Sequence, residues 1–467
     1  MLQSVVSGGS RCARRGLVFV FIWGLVMIAA LQFRRIENEQ QQSHDSPTID
    51  EIYSTPGVWS SEQLHSSGIG TLGIRELSAY TSSKRVSVDN DVNKRLKKLT
   101  DKREPMLDKR PPKTDDEIVK EVESKLPSLP LAYWLKTTNS KVTGINKPVG
   151  GCQAKFPSIF DLEFNNIYWQ TLRSSNGTFQ LFGAYYDNRK LSRIGPAVRI
   201  VGMIDRIDPK IKTYCQFWYE NDREPKVVEI LEYKYIWYAK WGNYKQGIYQ
   251  PYVIACKIPQ AYWHKGSPAS VSIVEKPCDT ATNNLRVIYN KPDIKKEFAV
   301  CVKGLDFLHE DLSVRLIEWI ELISILGADK IYFYELQVHP NVTKVLDYYK
   351  KLGKIDVTPL TLPGGQPNVP AFQHMYLTKK TNHKRQNELI PYNDCLYKHM
   401  YEYEYIALLD IDEVIMPVKD RTWSELMKRV LPKALNIRNE TRASYNVRNV
   451  YFLDDLLHSH GEFDHVP

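Results

Sequence analysis

The spacing of hydrophobic and polar positions changes character several times along the 467 residues, and each change predicts a different kind of structure. Residues Gly16–Phe33 are an apolar run in which Gln32 is the one clear polar residue. As a helix this run would span roughly 27 Å, close to the hydrocarbon thickness of a thin bilayer. Arg11, Arg14 and Arg15 precede it and Arg34 and Arg35 follow it. The run exceeds the apolar core of a cleaved signal peptide, and no small-x-small cleavage site follows. The expectation is a cytoplasmic tail over 1–15, a transmembrane signal anchor over 16–33 and a type II protein whose body is lumenal.

Residues 34–130 are polar and charged, punctuated by Pro111-Pro112, Pro127 and Pro130, and read as a flexible lumenal stem. Over 131–290 the pattern turns to short runs rich in β-branched and aromatic residues, such as FQLFGAYYD, AVRIVGMI, TYCQFWY and YVIACKI. Gly, Pro and Asn separate these runs, which predicts a β-rich accessory domain, a sandwich in form. From residue 297 onward strands and helices alternate. Strands are predicted at Phe298–Lys303, Lys330–Tyr334, Ile355–Leu360 and Tyr405–Leu409. Helices are predicted at Asp311–Leu326, Val342–Leu352 and Asn393–Tyr403, and 364–370 reads as a Gly/Pro loop. The resulting expectation over 297–467 is an α/β domain with a parallel, doubly wound sheet. In such sheets ligands bind beyond the carboxyl ends of the strands.

Composition changes this picture little. Aromatic residues make up 11% of the chain, and the exposed aromatic faces of a sugar-binding protein would raise that share. Ordinary β-rich packing does the same, so Trp237 and Trp241 are both a candidate sugar platform and candidate core. The net charge of +9 is dispersed, and no nucleic-acid module accompanies it. Six of the seven cysteines (Cys152, Cys215, Cys256, Cys278, Cys301 and Cys395) follow the apolar run and can pair in 15 ways. The sequons at Asn176, Asn341 and Asn439 also lie on that side and are candidate glycosylation sites.

The candidate chemistry sits at Asp410-Ile411-Asp412, directly after an apolar strand. If the backbone stays extended there, both carboxylates point to one face. Two hard oxygen ligands suit Mn2+ or Mg2+ bridging the phosphates of a nucleotide. The same residues fit the nucleophile loop of a haloacid-dehalogenase-type phosphatase, with Asp410 as nucleophile and Asp412 as acid. That enzyme class places the loop on its first core strand, whereas three strand candidates precede it here.

Beyond these patterns, the segments FAVCVKGL, RLIEWIELISILGADKIYFYE, QNELIPYNDCLYKHMYEYEYIALLDIDEVIMP and the upstream AYYDNR resemble glycosyltransferase family 92. The likeness is greatest to its animal β-1,4-galactosyltransferases. The resemblance implies a GT-A fold, UDP-galactose as donor, Mn2+ and an inverting mechanism. It also implies a glycoprotein glycan as acceptor, such as the core fucose of N-glycans, and residence in the Golgi membrane. Carried over residue by residue, Asp410 and Asp412 resemble the metal and diphosphate ligands. Lys303 and Gly304 after the first strand, Glu335 after the second, and Asn393 and Asp394 before the fourth would flank the donor; Asn393 also suits a helix N-cap.

An inverting transfer needs a general base, for which Asp454, Asp455 and Glu462 are candidates. Cys301 and Cys395 lack an activating histidine pattern and are expected to be structural. The chain ends 55 residues beyond Asp412 (467 − 412), which is short for an acceptor-binding half. A C-terminally incomplete catalytic domain is therefore expected. The alternative function is a catalytically inactive, lectin-like glycan-binding member of the same family.

Overall fold

The computed structural model describes residues 113–139, 154–437 except 221 and 223, and 442–451. The predicted anchor and nearly all of the predicted stem lie outside the described residues. Among the described residues no helix is long and apolar enough to cross a membrane. Helices α1 (Asp115–Lys125) and α2 (Leu131–Asn139) lead into the β-rich part. Its strands are β1 (Phe164–Asn166), β2 (Trp169–Ser174), β3 (Gly177–Asp187), β4 (Ala197–Ile204) and β5 (Tyr214–Trp218). They continue as β6 (Lys226–Glu229), β7 (Glu232–Tyr235), β8 (Gln250–Lys257), β9 (Ser270–Val274) and β10 (Leu285–Ile288).

These strands make one sheet ordered β6-β5-β9-β10-β3-β4-β8-β7, with β2 and then β1 added on β3. The predicted sandwich is thus a single sheet folded over. Phe179, Ile200 and Ile254 from one half share a core with Phe217, Val271 and Ile273 from the other. The Cys215–Cys256 disulfide joins β5 to β8, strands far apart in the sheet order, with Cα atoms 6.2 Å apart. Only a folded sheet brings those two strands face to face. The fold line runs at β10, which pairs antiparallel with β9 and parallel with β3.

The remaining elements are β11 (Lys296–Phe307), α3 (Ser313–Leu326), β12 (Lys330–Val338), α4 (Pro340–Lys351) and β13 (Ile355–Pro359). After these come α5 (Pro370–Lys379), α6 (Thr381–His399), β14 (Tyr403–Leu408) and α7 (Trp423–Ile437). The sheet is wholly parallel, ordered β13-β12-β11-β14, as the alternation of elements predicts. Several expectations are corrected. Helix α6 starts twelve residues before the predicted Asn393 because its polar first half, TNHKRQNEL, carries no apolar stripe and Pro391 interrupts the pattern. Helices α5 and α7 were not predicted. Strand β14 lies at the edge of the described sheet, with Tyr403 buried and Leu408 exposed, and is not the buried strand its apolar residues suggest.

Period-2 alternation on β11 divides the layers. Phe298, Val300 and Val302 pack against Leu316, Trp319 and Ile320 of α3 and Val345 and Leu346 of α4. Ala299 and Cys301 point the other way, into a second core with Ile390 and Cys395 of α6 and Tyr185, Val201 and Val253 of the β-rich part. Helix α6 is therefore buried between the parallel sheet and the folded sheet. The Cys301–Cys395 disulfide pins it to β11. The described residues within 111–467 form one compact unit.

Candidate functional site

The polar residues of this buried helix create the site. Lys384, Glu388 and Tyr392 are spaced i, i+4 and i+8 on α6, so they form one row on its surface. That row extends roughly 12 Å along the axis. Tyr392 Oη donates to Asp410 Oδ1 at 2.7 Å. Lys303 Nζ lies 2.5 Å from Asp410 Oδ2 and 3.7 Å from Glu388 Oε1. Lys384 Nζ lies 3.6 Å from Asp306 Oδ2, and Asp306 Oδ1 is 2.8 Å from His374 Nδ1 on α5. A continuous line of charge, Asp410–Lys303–Glu388–Lys384–Asp306–His374, thus runs along the carboxyl end of the parallel sheet.

Lys303 and Asp306 are three residues apart on one strand, and regular pleating would send them to opposite faces. The register of β11 against β12 shifts between Cys301 and Gly304 and again between Leu305 and Asp306. These irregularities return Asp306 to the α6 side while Leu305 joins the core beneath α3 and α4. Gly304 sits at the first shift. A Cβ there would lie 3.0 Å from Leu336 Cδ1 and 3.1 Å from Leu360 Cδ2, so its smallness serves side-chain packing.

The electrostatics follow from crowding and partial burial. Burial opposes the charge on Lys303, but Asp410 and Glu388, with Asp412 beyond them, outweigh it and raise the ammonium above its ordinary range. Burial pushes the Glu388 carboxyl up, with Asp410 adding to the effect and Lys303 opposing it. Burial and the Asp410 charge raise the Tyr392 phenol far above its usual value, so it remains a donor. Asp410 itself closes a turn. Glu413 N–H donates to Asp410 O at 3.0 Å, and Asp410 N–H to Glu413 Oε2 at 3.1 Å. The extended backbone expected through Asp410-Ile411-Asp412 is corrected to this turn, and Asp412 stands exposed at its tip.

Among the described residues no group of three or more His, Cys, Asp or Glu side chains is disposed to hold a metal ion. Asp410 carries Tyr392 on Oδ1 and Lys303 on Oδ2, and Asp412 is exposed two residues on, so a divalent cation here would draw most of its ligands from a bound diphosphate, the usual manner of Mg2+. The two aspartates do not fit a cation ligated by protein alone.

The other sequence-predicted residues divide. Lys303 joins Asp410, although both it and Gly304 lie within β11, not after it. Glu335 likewise lies within β12, where alternation opposite Tyr334 turns it toward Asp347 and Lys350 of α4; burial and Asp347 raise its carboxyl. Asp394 is buried and accepts from Tyr185 Oη, Tyr334 Oη and Lys398 Nζ. Those bonds clamp the folded sheet, β12 and α6 together, away from the row that faces Asp410. Asn393 lies inside α6, not at an N-cap, and donates to Leu389 O. Asp454, Asp455 and Glu462 lie outside the described residues, as does Asn439.

Asn176 is exposed in the β2–β3 hairpin, and the Asn341 side chain donates to Asp311 Oδ2 at 2.7 Å. Of the aromatic pair, Trp237 is buried with its N–H on Gly242 O, while Trp241 and the adjacent Tyr238 are exposed. Cys301 and Cys395 are structural, as expected, and Cys278 is also disulfide-bonded. Asp306, His374 and Lys384 were missed. The signal that could have found Asp306 is an acid at the end of an apolar run; nothing local marks His374.

Comparison with known proteins agrees with this architecture. Residues 296–466, which contain the parallel sheet and the whole charged line, match the profile of glycosyltransferase family 92. Over 290 residues the chain is 24% identical to a Caenorhabditis elegans protein, "Beta-1,4-galactosyltransferase galt-1", a match covering 58% of this chain. The chain spans 61% of the length of that curated relative. Among solved structures, a β-glucuronidase from Ruminococcus gnavus in complex with C6-substituted uronic isofagomine aligns over 55% of this chain and 41% of its own. Its 9% identity and TM-score of 0.16 carry no argument about the fold. The family profile and the relative agree: residues 296–466 are similar to glycosyltransferase family 92.

Proposed function

We propose that the protein transfers galactose, with inversion, from UDP-galactose to a glycoprotein glycan such as the core fucose of N-glycans. The observation that carries this reading is the charged line at the carboxyl end of the parallel sheet, within the family-matched segment. Asp410 and Asp412 would hold Mn2+ or Mg2+, which as a Lewis acid offsets the charge that develops on the departing diphosphate. Lys303 supplies a fixed cation beside the same position, Glu388 orients that ammonium, and Tyr392 holds the Asp410 carboxylate. Such preset charges act where transition-state charge appears. The name of the C. elegans relative supports galactose as the sugar.

The type II anchor and Golgi residence belong to this reading, supported by the apolar run over 16–33 and by the disulfide-bonded cysteines, which suit an oxidising compartment. Exposed Trp241 and Tyr238 favour a second reading, an inactive glycan-binding protein. A phosphatase would need Asp410 after its first core strand; here it follows β14, the last parallel strand in the described chain.

The test is UDP-galactose hydrolysis and transfer by the full chain with and without Mn2+. Transfer should fall by about 100-fold or more in Asp412→Ala, the loss expected on removing a charge-stabilising group. It should persist in Asp455→Ala. Phosphate release from simple esters without any UDP-sugar dependence would sink the proposal.

A further inference from the structure

The geometry points to His374, positioned by Asp306, as the group that takes the proton from the acceptor hydroxyl, an inference that rests on the transfer reaction proposed above. His374 sits on α5, beside the carboxyl end of the central strand β11. Its Nδ1 is 2.8 Å from Asp306 Oδ1. An ionised carboxylate can only accept, so Nδ1 carries the proton and the Nε2 lone pair is directed away from Asp306. That nitrogen makes no hydrogen bond among the described residues, and the imidazole is partly open to solvent.

Asp306 has the features of a residue kept for a task. Its side chain is wholly buried on the central strand, yet Oδ2 has no hydrogen-bond donor among the described residues. Lys384, 3.6 Å from that oxygen, is its nearest cation. Buried acceptors almost always have a hydrogen-bond donor, so a buried carboxylate oxygen beside a histidine that has only a long ion pair to Lys384 calls for an explanation. A carboxylate that orients imidazole and stabilises imidazolium supplies one. The groups facing His374 are Asp306, Lys384 beyond it, and the ring of His309 at 5.3 Å in an edge-on arrangement.

Position along the charged line also fits. The Asp410 end would receive the diphosphate, and Lys384, which reaches toward Asp306, stands roughly 12 Å along α6 from Tyr392, which holds Asp410. That gap leaves room for the transferred sugar. In the step itself, the acceptor oxygen forms its bond to the anomeric carbon as its proton passes to His374 Nε2. The bond from the anomeric carbon to the diphosphate oxygen breaks, and its electron pair leaves with the diphosphate.

The experiment uses the full chain, a fucose-terminated glycan acceptor and azide, an anion that attacks without losing a proton. His374→Gln should lower kcat for glycan transfer by about 100-fold or more, the usual contribution of a positioned base. Its donor KM and its affinity for UDP should stay within about twofold, the margin expected when uniform binding is untouched. Azide should restore turnover, giving the glycosyl azide. Asp306→Asn should lower kcat and displace the acidic limb of the pH profile, since an amide can donate to Nδ1 and reverse the tautomer. His374→Asn serves if the glutamine variant fails to fold.

Wild-type kcat in either His374 variant overturns the inference. So does weakened UDP binding with kcat intact, which would make His374 a nucleotide ligand, and so does a loss that azide does not restore. If the folded wild-type chain transfers to no acceptor, the proposed function fails first and this inference with it.

Discussion

The two halves of helix α6 carry the same kinds of residue and do opposite things. Its C-terminal half presents Asp394, Cys395 and Lys398 to a buried interface, where the Asp394 carboxylate takes three donors and Cys395 closes a disulfide. The Asp394 carboxylate is saturated by two phenols and an ammonium. Its N-terminal half presents Lys384 and Glu388 to the carboxyl end of the sheet, where bonds are left open and charges stay partly wet. Asp306 on the facing strand keeps one oxygen without a donor. Both regions contain a buried aspartate, an ammonium and aromatic hydroxyls nearby. Burial of a charged side chain therefore does not mark a site; unmet bonding capacity does.

The comparison can be broken most forcefully at Asp394. Asp394→Asn should cost about 3–5 kcal/mol of stability, because it leaves Lys398 and two phenols in a dry interface without their carboxylate. Urea denaturation measures this, and UDP affinity of the folded variant should be unchanged. A variant as stable as the wild type would show that the clamp is idle.

A smaller effect follows with pH. Burial alone would raise the Asp394 carboxyl, but Lys398 and the hydrogen bonds of Tyr185 and Tyr334 outweigh it and hold it below its ordinary range. A carboxyl with a depressed folded value adds stability that is complete above the unfolded value, about pH 4, and is lost as pH falls through the folded one. Stability should therefore decline on acidification below about pH 4 in the wild type by more than in Asp394→Asn. Denaturation midpoints across that range test the difference.

The smallest change in stability is expected at the open half. Glu388→Gln should shift stability by less than about 1 kcal/mol, since its ion pair with Lys303 is long and partly solvated. It should still weaken transfer by freeing the Lys303 ammonium. A binding isotherm for UDP-galactose beside an unfolding curve separates the two outcomes, and a stability loss as large as that of Asp394→Asn would erase the distinction between the halves.

Much of this was legible in the chain. Strand and helix periodicity located β11, α3, β12, α4 and β13 to within a few residues at most boundaries, because each buries one apolar face against a neighbour. The placement of Asp410 at a strand end was legible because it follows an apolar run, but the turn there was not. Helix α6 was only half legible, since a helix wedged between two sheets with a polar first half shows no single apolar stripe. Cysteine count allowed the Cys215–Cys256 and Cys301–Cys395 pairings without choosing them.

The sequence by itself determined the alternation that builds a parallel sheet, the strand end that holds Asp410, and the aromatic, β-branched runs of the folded sheet. Those follow from local pattern, in which each residue's environment depends on neighbours within one or two turns. The tertiary structure alone decided which aspartate is clamped and which is left open, that irregular pairing on β11 turns Asp306 toward α6, and that His374 lies against it. Those outcomes depend on residues 68 to 209 positions apart meeting across packed layers, and no local pattern encodes such a meeting.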